Sequence, residues 1–112
     1  RAAKATRTVV ITGVPHGLLQ DDVMVDILTI HFQKSKNNGG DVEEVRYPTG
    51  NKGVAYVTFE DPEVVDSVLK KGDHQLEDKR LSQSYPLRVT SYCENVSSCI
   101  IHLLLLPVGC DP

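Results

Sequence analysis

Apolar positions along this chain repeat with two different periods, and the changes of period divide it into elements. Residues 8–14, TVVITGV, are β-branched and nearly continuous, and Pro15-His16-Gly17 follows them, so they predict a buried strand ending in a turn. From about Gln20 to Phe32 the period lengthens. Val23, Ile27 and Ile30 fall at i, i+4 and i+7, with Met24, Leu28 and Phe32 in a second row, the broad apolar face of a helix. Asp21 and Asp22 sit in its first turn and Lys34 and Lys36 just past its last, both favourable to the helix dipole. KSKNNGG then supplies Asn and Gly for a left-handed stop.

Residues 41–47, DVEEVRY, alternate irregularly through Val42, Val45 and Tyr47 and predict a strand; PTGNKG is a turn and GVAYVTF a second strand. Asp61 and Pro62 supply an N-cap and an N1 proline for a helix that buries Val64, Val65, Val68 and Leu69 and ends at Lys70-Lys71-Gly72. A polar connection without pattern leads to the last strand, YPLRVTSY, residues 85–92. The order is β-α-β-β-α-β. Two amphipathic helices each need a sheet face, so the expected α+β fold is a ferredoxin-like sandwich, a four-stranded antiparallel sheet with both helices on one side. The other sheet face is left bare, the natural place for binding. Residues 8–92 form the expected domain, 1–7 an N-terminal linker, and 93–112 a tail, either flexible and loosely packed or laid across apolar surface.

At 112 residues there is room for one core and a short tail. The formal charge of −3 sets a weakly unfavourable field for polyanions, so nucleic-acid contact requires a local basic patch. Cys93, Cys99 and Cys110 crowd into the tail without a CxxC pair, and His16, His31, His74 and His102 are scattered, so neither a metal nor a cofactor is expected. His31, beside the apolar helix stripe, reads as a boundary residue. The apolar run in CIIHLLLLPVGC is shorter than the roughly 20 residues that span a bilayer, so no membrane partner is expected. The basic, polar RAAKATRT has no apolar run behind it, which reads as an intracellular, reduced protein of cytoplasm or nucleus. The Asn95-Val96-Ser97 sequon then has no consequence.

The third strand carries a recognisable pattern. KGVAYVTF, residues 52–59, resembles the RNA recognition motif (RRM) consensus K/R-G-F/Y-G/A-F-V-x-F/Y. Lys52, Gly53, Ala55, Tyr56, Val57 and Phe59 match and Val54 departs. Strand alternation puts Gly53, Ala55, Val57 and Phe59 against the helices and Lys52, Val54, Tyr56 and Thr58 on the bare face. The resemblance implies single-stranded RNA held by bases stacked on aromatics of the two central strands. Of the three aromatic places it implies, only Tyr56 is filled; Val54 and Val10 occupy the others. Each stack is worth about 1–3 kcal/mol, so two missing ones cost roughly 2–6 kcal/mol and imply weak binding. Tyr47 and Tyr92 compensate only if they share that face. On this reading Tyr56 is the platform, Val10, Thr12, Val54 and Thr58 complete the surface, and Lys52 and Arg88, with Arg46, meet phosphate.

A second likeness lies in residues 31–45, HFQKSKNNGGDVEEV, which is similar to the modules of the N-myc interactor and interferon-induced 35 kDa protein family and to the RRM of RNA-binding motif protein 43. Members of the former use such modules for protein association, including with relatives. The alternative partner is therefore a protein, a related module among the candidates. It would be met by the sheet face that Val10 and Val54 make aliphatic, or by the basic loop with Lys34 and Lys36. Catalysis is not expected. Acylphosphatases share the architecture but need an arginine after the first strand, where this chain has VPHGLL. Glu43 and Glu44, being adjacent, are expected on opposite sides of a strand and form no convergent pair.

Overall fold

The computed structural model describes residues 2–92, and the expectations for the tail at 93–112 lie outside the described residues. Strand β1 is Thr8–Thr12, helix α1 Asp21–Gln33, strand β2 Val42–Arg46, strand β3 Val54–Phe59 and helix α2 Pro62–Lys71. Strands β4, His74–Leu76, and β5, Tyr85–Ser91, complete the order. The sheet thus has five strands rather than four, arranged β2-β3-β1-β5-β4 with every neighbouring pair antiparallel. The added strand falls in the stretch read as patternless. Its inward residues are His74 and Leu76 around an exposed Gln75, and a three-residue strand with a buried histidine gives no apolar alternation to read.

The core lies between the helices and the inner sheet face. Val9 and Ile11 of β1, Ala55, Val57 and Phe59 of β3 and Leu87 of β5 meet Met24, Ile27, Leu28 and Phe32 of α1 and Val65 and Val68 of α2. Helix α1 is rotated slightly from the expected stripe: Ile30 lies on the rim, 36% exposed, and His31 goes inside at 4%. At the end of α1 a 3-10 turn, Ser35–Asn37, leads to Asn38 with φ 60°, the expected left-handed stop. Gly39 follows because a Cβ there would run into the backbone carbonyl of Phe32. At the start of α2 the Asp61 carboxylate accepts the Glu63 N–H at 2.9 Å, as an N-cap does. Asp61→Ala is expected to lower stability by about 1 kcal/mol in urea unfolding, with the m-value unchanged.

Two local features correct the sequence reading. The irregular spacing of Val42, Val45 and Tyr47 has a cause: the β2–β3 register shifts between Val42, opposite Phe59, and Glu44, opposite Thr58. The extra residue, Glu43, lets Val42 and Val45 both face inward although three apart. Glu43 therefore sits at the bulge, Glu44 on the outer face, and simple alternation does not apply to them. The stretch read as an N-terminal linker is docked instead. Lys4–Arg7 forms a 3-10 turn, and Arg7 is 5% exposed, donating to Ala2 O, Glu43 Oε1 and Phe59 O at 2.9, 2.6 and 2.9 Å. One long cation reaching a strand end leaves no periodic trace in sequence.

Candidate functional site

Antiparallel register sorts the outer face into three cross-strand rows. Glu44, Thr58 and Thr8 form the first; Arg46, Tyr56, Val10 and Thr90 the second; Val54, Thr12 and Arg88 the third. All six strand residues expected on the bare face, Val10, Thr12, Val54, Tyr56, Thr58 and Arg88, are therefore brought together.

They are not equally accessible. Thr58 is 2% and Val10 8% exposed, so both line the face without offering surface. Thr58 is closed off by a hydroxyl chain whose direction can be fixed. Thr8 Oγ1 donates its one proton to Lys4 O at 2.7 Å, so Thr58 Oγ1 must donate to Thr8 Oγ1 at 2.8 Å. Lys4, in the docked turn, is held by Glu44 at 2.8 Å. The first row is thus consumed internally.

The second row carries the chemistry. Tyr56 is half-buried; the Arg46 guanidinium carbon lies 4.7 Å from its ring centroid, a cation–π contact. Tyr92, directly after β5, meets Tyr56 edge to face at 5.7 Å between centroids and 83° between planes. Tyr92 thus shares the platform, whereas Tyr47 faces inward and packs on the core. Arg46 is 54% exposed and 3.6 Å from Glu44, so its charge is only loosely committed. Lys4, Ala5, Thr8, Arg46 and Tyr92 line a recess of about 260 Å³ beside the platform. Arg88 is exposed on the third row. Lys52 stands in the turn before β3 rather than on the strand, at the mouth of an open recess of about 510 Å³ with Pro15, His16, Leu18 and Tyr85.

Lys34 and Lys36 lie apart from this surface. They line a separate recess of about 210 Å³ with His31, Asn37, Lys71 and the acidic Asp73 and Glu77. The aliphatic face and the basic loop thus form two distant places, not one patch. Behind the recess His31 Nε2 is 3.0 Å from His74 Nδ1, and His74 Nε2 is 2.9 Å from Val68 O. Asn37 Nδ2 is 3.3 Å from His31 Nδ1 and donates to His31 O at 2.9 Å. Burial first, then His74 and the lysines Lys34, Lys71 and Lys36, pull the His31 pKa down to about 4. His31 is therefore an interior polar residue and not the boundary residue its helix position suggested. Nothing in sequence pairs it with His74, 43 positions away.

Among the described residues no three His, Cys, Asp or Glu side chains gather as a metal site, and no helix is long and apolar enough to cross a membrane. Residues 6–100 match the family model described as the third RRM domain of PARP14. The match begins inside the docked Lys4–Arg7 turn and runs past β5. It concerns the RRM family and does not extend to the narrower likeness drawn from residues 31–45.

Proposed function

This chain belongs to the RNA recognition motif family, whose domains bind nucleic acid or protein, and on that premise we propose that its outer sheet face binds single-stranded RNA weakly. The observation that carries the reading is the cluster of Tyr56, Tyr92 and Arg46 on the middle row of that face. A base stacks on an aromatic ring or on a guanidinium plane, and this cluster offers both within one nucleotide's reach. Tyr92 replaces part of what Val10 and Val54 fail to supply. Arg88 and Lys52 flank the cluster as phosphate partners, and an intracellular place of action, cytoplasmic or nuclear, goes with the reading.

A protein partner on an aliphatic sheet has less support. Val10 is covered, and the large apolar side chains most exposed among the described residues are Leu18 and Ile30, neither on this face. The RRM family is a family of binding domains.

The test is a titration of isotope-labelled protein with mixed-sequence single-stranded RNA. Amide and side-chain shifts are expected at Tyr56, Tyr92, Arg46 and Arg88, with the Lys34–Lys36 loop silent. Two to three phosphate contacts on a single strand give a slope of log affinity against log salt of about −1.4 to −2.1, so binding falls roughly 7- to 18-fold from 50 to 200 mM salt. Absence of shifts at millimolar RNA, or shifts confined to the loop, would remove the sheet face as an RNA site.

A further inference from the structure

Behind the recess on the helical side, the buried polar groups form a relay whose protons can be placed one at a time. Val68 O can only accept, so His74 Nε2 carries a proton and donates to it. A neutral His74 then has a bare Nδ1, which must accept from His31 Nε2–H. His31 Nδ1 is left bare in turn and accepts from Asn37 Nδ2, whose other proton goes to His31 O. With both imidazoles neutral, every donor meets an acceptor.

We infer that this relay is an acid-releasable latch: it clamps β4 and the 35–40 turn onto α1 and α2 while both imidazoles are neutral, and lets go when the pair takes up a proton. The elements it joins are distinct, since His31 belongs to α1, Asn37 to the 3-10 turn, His74 to β4 and the accepting carbonyl to α2. An added proton has nowhere to go. On His31 Nδ1 it points at the Asn37 amide protons. On His74 Nδ1 it forces the His31 proton from Nε2 to Nδ1, with the same donor-to-donor collision. Turning the Asn37 amide over brings its oxygen against His31 O, two acceptors face to face.

The surrounding charges mostly act in the same direction. Lys34 and Lys36 on the turn and Lys71 on α2 oppose a cation here, while Asp73 and Glu77, flanking β4, face the same recess and favour one. Burial first, then His74 and the cations, outweigh them and hold His31 down to about 4. The sign follows. With an ordinary histidine near 6.5 in the opened state, that state binds more protons between about pH 4 and 6.5. The latch is therefore fully effective above about pH 6.5 and weakens as pH falls through that window. This holds independently of the RNA reading.

Three measurements test it. First, nitrogen-15 spectra of the two side chains at pH 7 are expected to show both histidines as the neutral Nε2–H tautomer; an Nδ1–H tautomer or an imidazolium in either overturns the assignment. Second, amide hydrogen exchange, corrected for its intrinsic rate, is compared at pH 7 and pH 5. Gly39, Gly40 and the β4–β5 pair are expected to lose about 20-fold protection, and to stay less protected than the amides of Val9 and Val57. Uniform protection across both groups, or no loss at pH 5, rules the latch out. Third, His31→Gln removes the imidazole that takes up the proton, and the loss between pH 7 and 5 should shrink to less than about threefold. A variant that keeps the full pH dependence refutes the proton count.

Discussion

Tyr56→Ala is expected to weaken single-stranded RNA binding by about 5- to 150-fold, the equivalent of one base–aromatic stack at roughly 1–3 kcal/mol. The expectation rests on how little else the face offers. Thr58 and Thr8 are tied to each other and to the docked turn, Val10 is covered, and the third row carries no ring. Tyr92→Ala should cost less, because its ring meets Tyr56 edge to face and mainly sets that ring's position. Tyr56→Phe should keep most of the affinity, since stacking uses the ring and not the hydroxyl. Arg46 separates stacking from charge. Its guanidinium already lies over Tyr56, so Arg46→Gln removes a cation and uncovers a ring. The salt slope should become shallower by about 0.7 while affinity at high salt changes little. Isothermal titration at two salt concentrations reads both effects. Equal affinity of Tyr56→Ala and the parent chain at both would place the RNA elsewhere.

The order of the main elements was legible because each has a strong local cause. Asp61-Pro62 opens α2, Asn38-Gly39 closes the turn after α1, and Ala55, Val57 and Phe59 alternate inward on β3. The RRM pattern on β3 identified the family from one strand, and the outer face follows from the same alternation. What stayed hidden was set by contacts between distant residues. The β2 bulge shows only as a misplaced valine until Phe59 and Thr58 are seen opposite. Strand β4 is three residues long and buries a histidine. Its partner His31 looks like the polar edge of a stripe because a helix pattern cannot tell a satisfied interior imidazole from a surface one. On the sheet, alternation gave direction but not exposure: Thr58 points outward and is still covered, by a turn that sequence presents as a linker.

Phe32→Ala is expected to be the most damaging single substitution considered, at about 3–5 kcal/mol, measured by urea unfolding. Phe32 is fully buried and sits where three elements meet. Its ring lies 6.2 Å from Phe59 on β3, nearly perpendicular, and 5.6 Å from His74 on β4; the His31 ring stands against it at 4.6 Å. Removing it opens a cavity that cannot collapse easily. One wall is the central sheet, and another is the histidine relay, whose groups keep their hydrogen bonds only if they stay in place. Truncation therefore combines the lost burial of an aromatic ring with a loosened relay, and the upper half of the range is the better expectation. In a domain of this size the loss approaches typical total stability and lowers the melting temperature by roughly 20 °C. The backbone gives no compensation, because the Phe32 carbonyl still has to accept Gly40 N–H at 3.0 Å to hold the turn. Ile30→Ala, two positions away on the helix rim, is the matched control and should cost well under 1 kcal/mol beyond helix propensity. Similar losses for the two would mean that the helix face is rotated toward the stripe read from sequence, with Ile30 inside. The His31–His74 contact could not then exist, so this pair of substitutions also checks the geometry on which the relay depends.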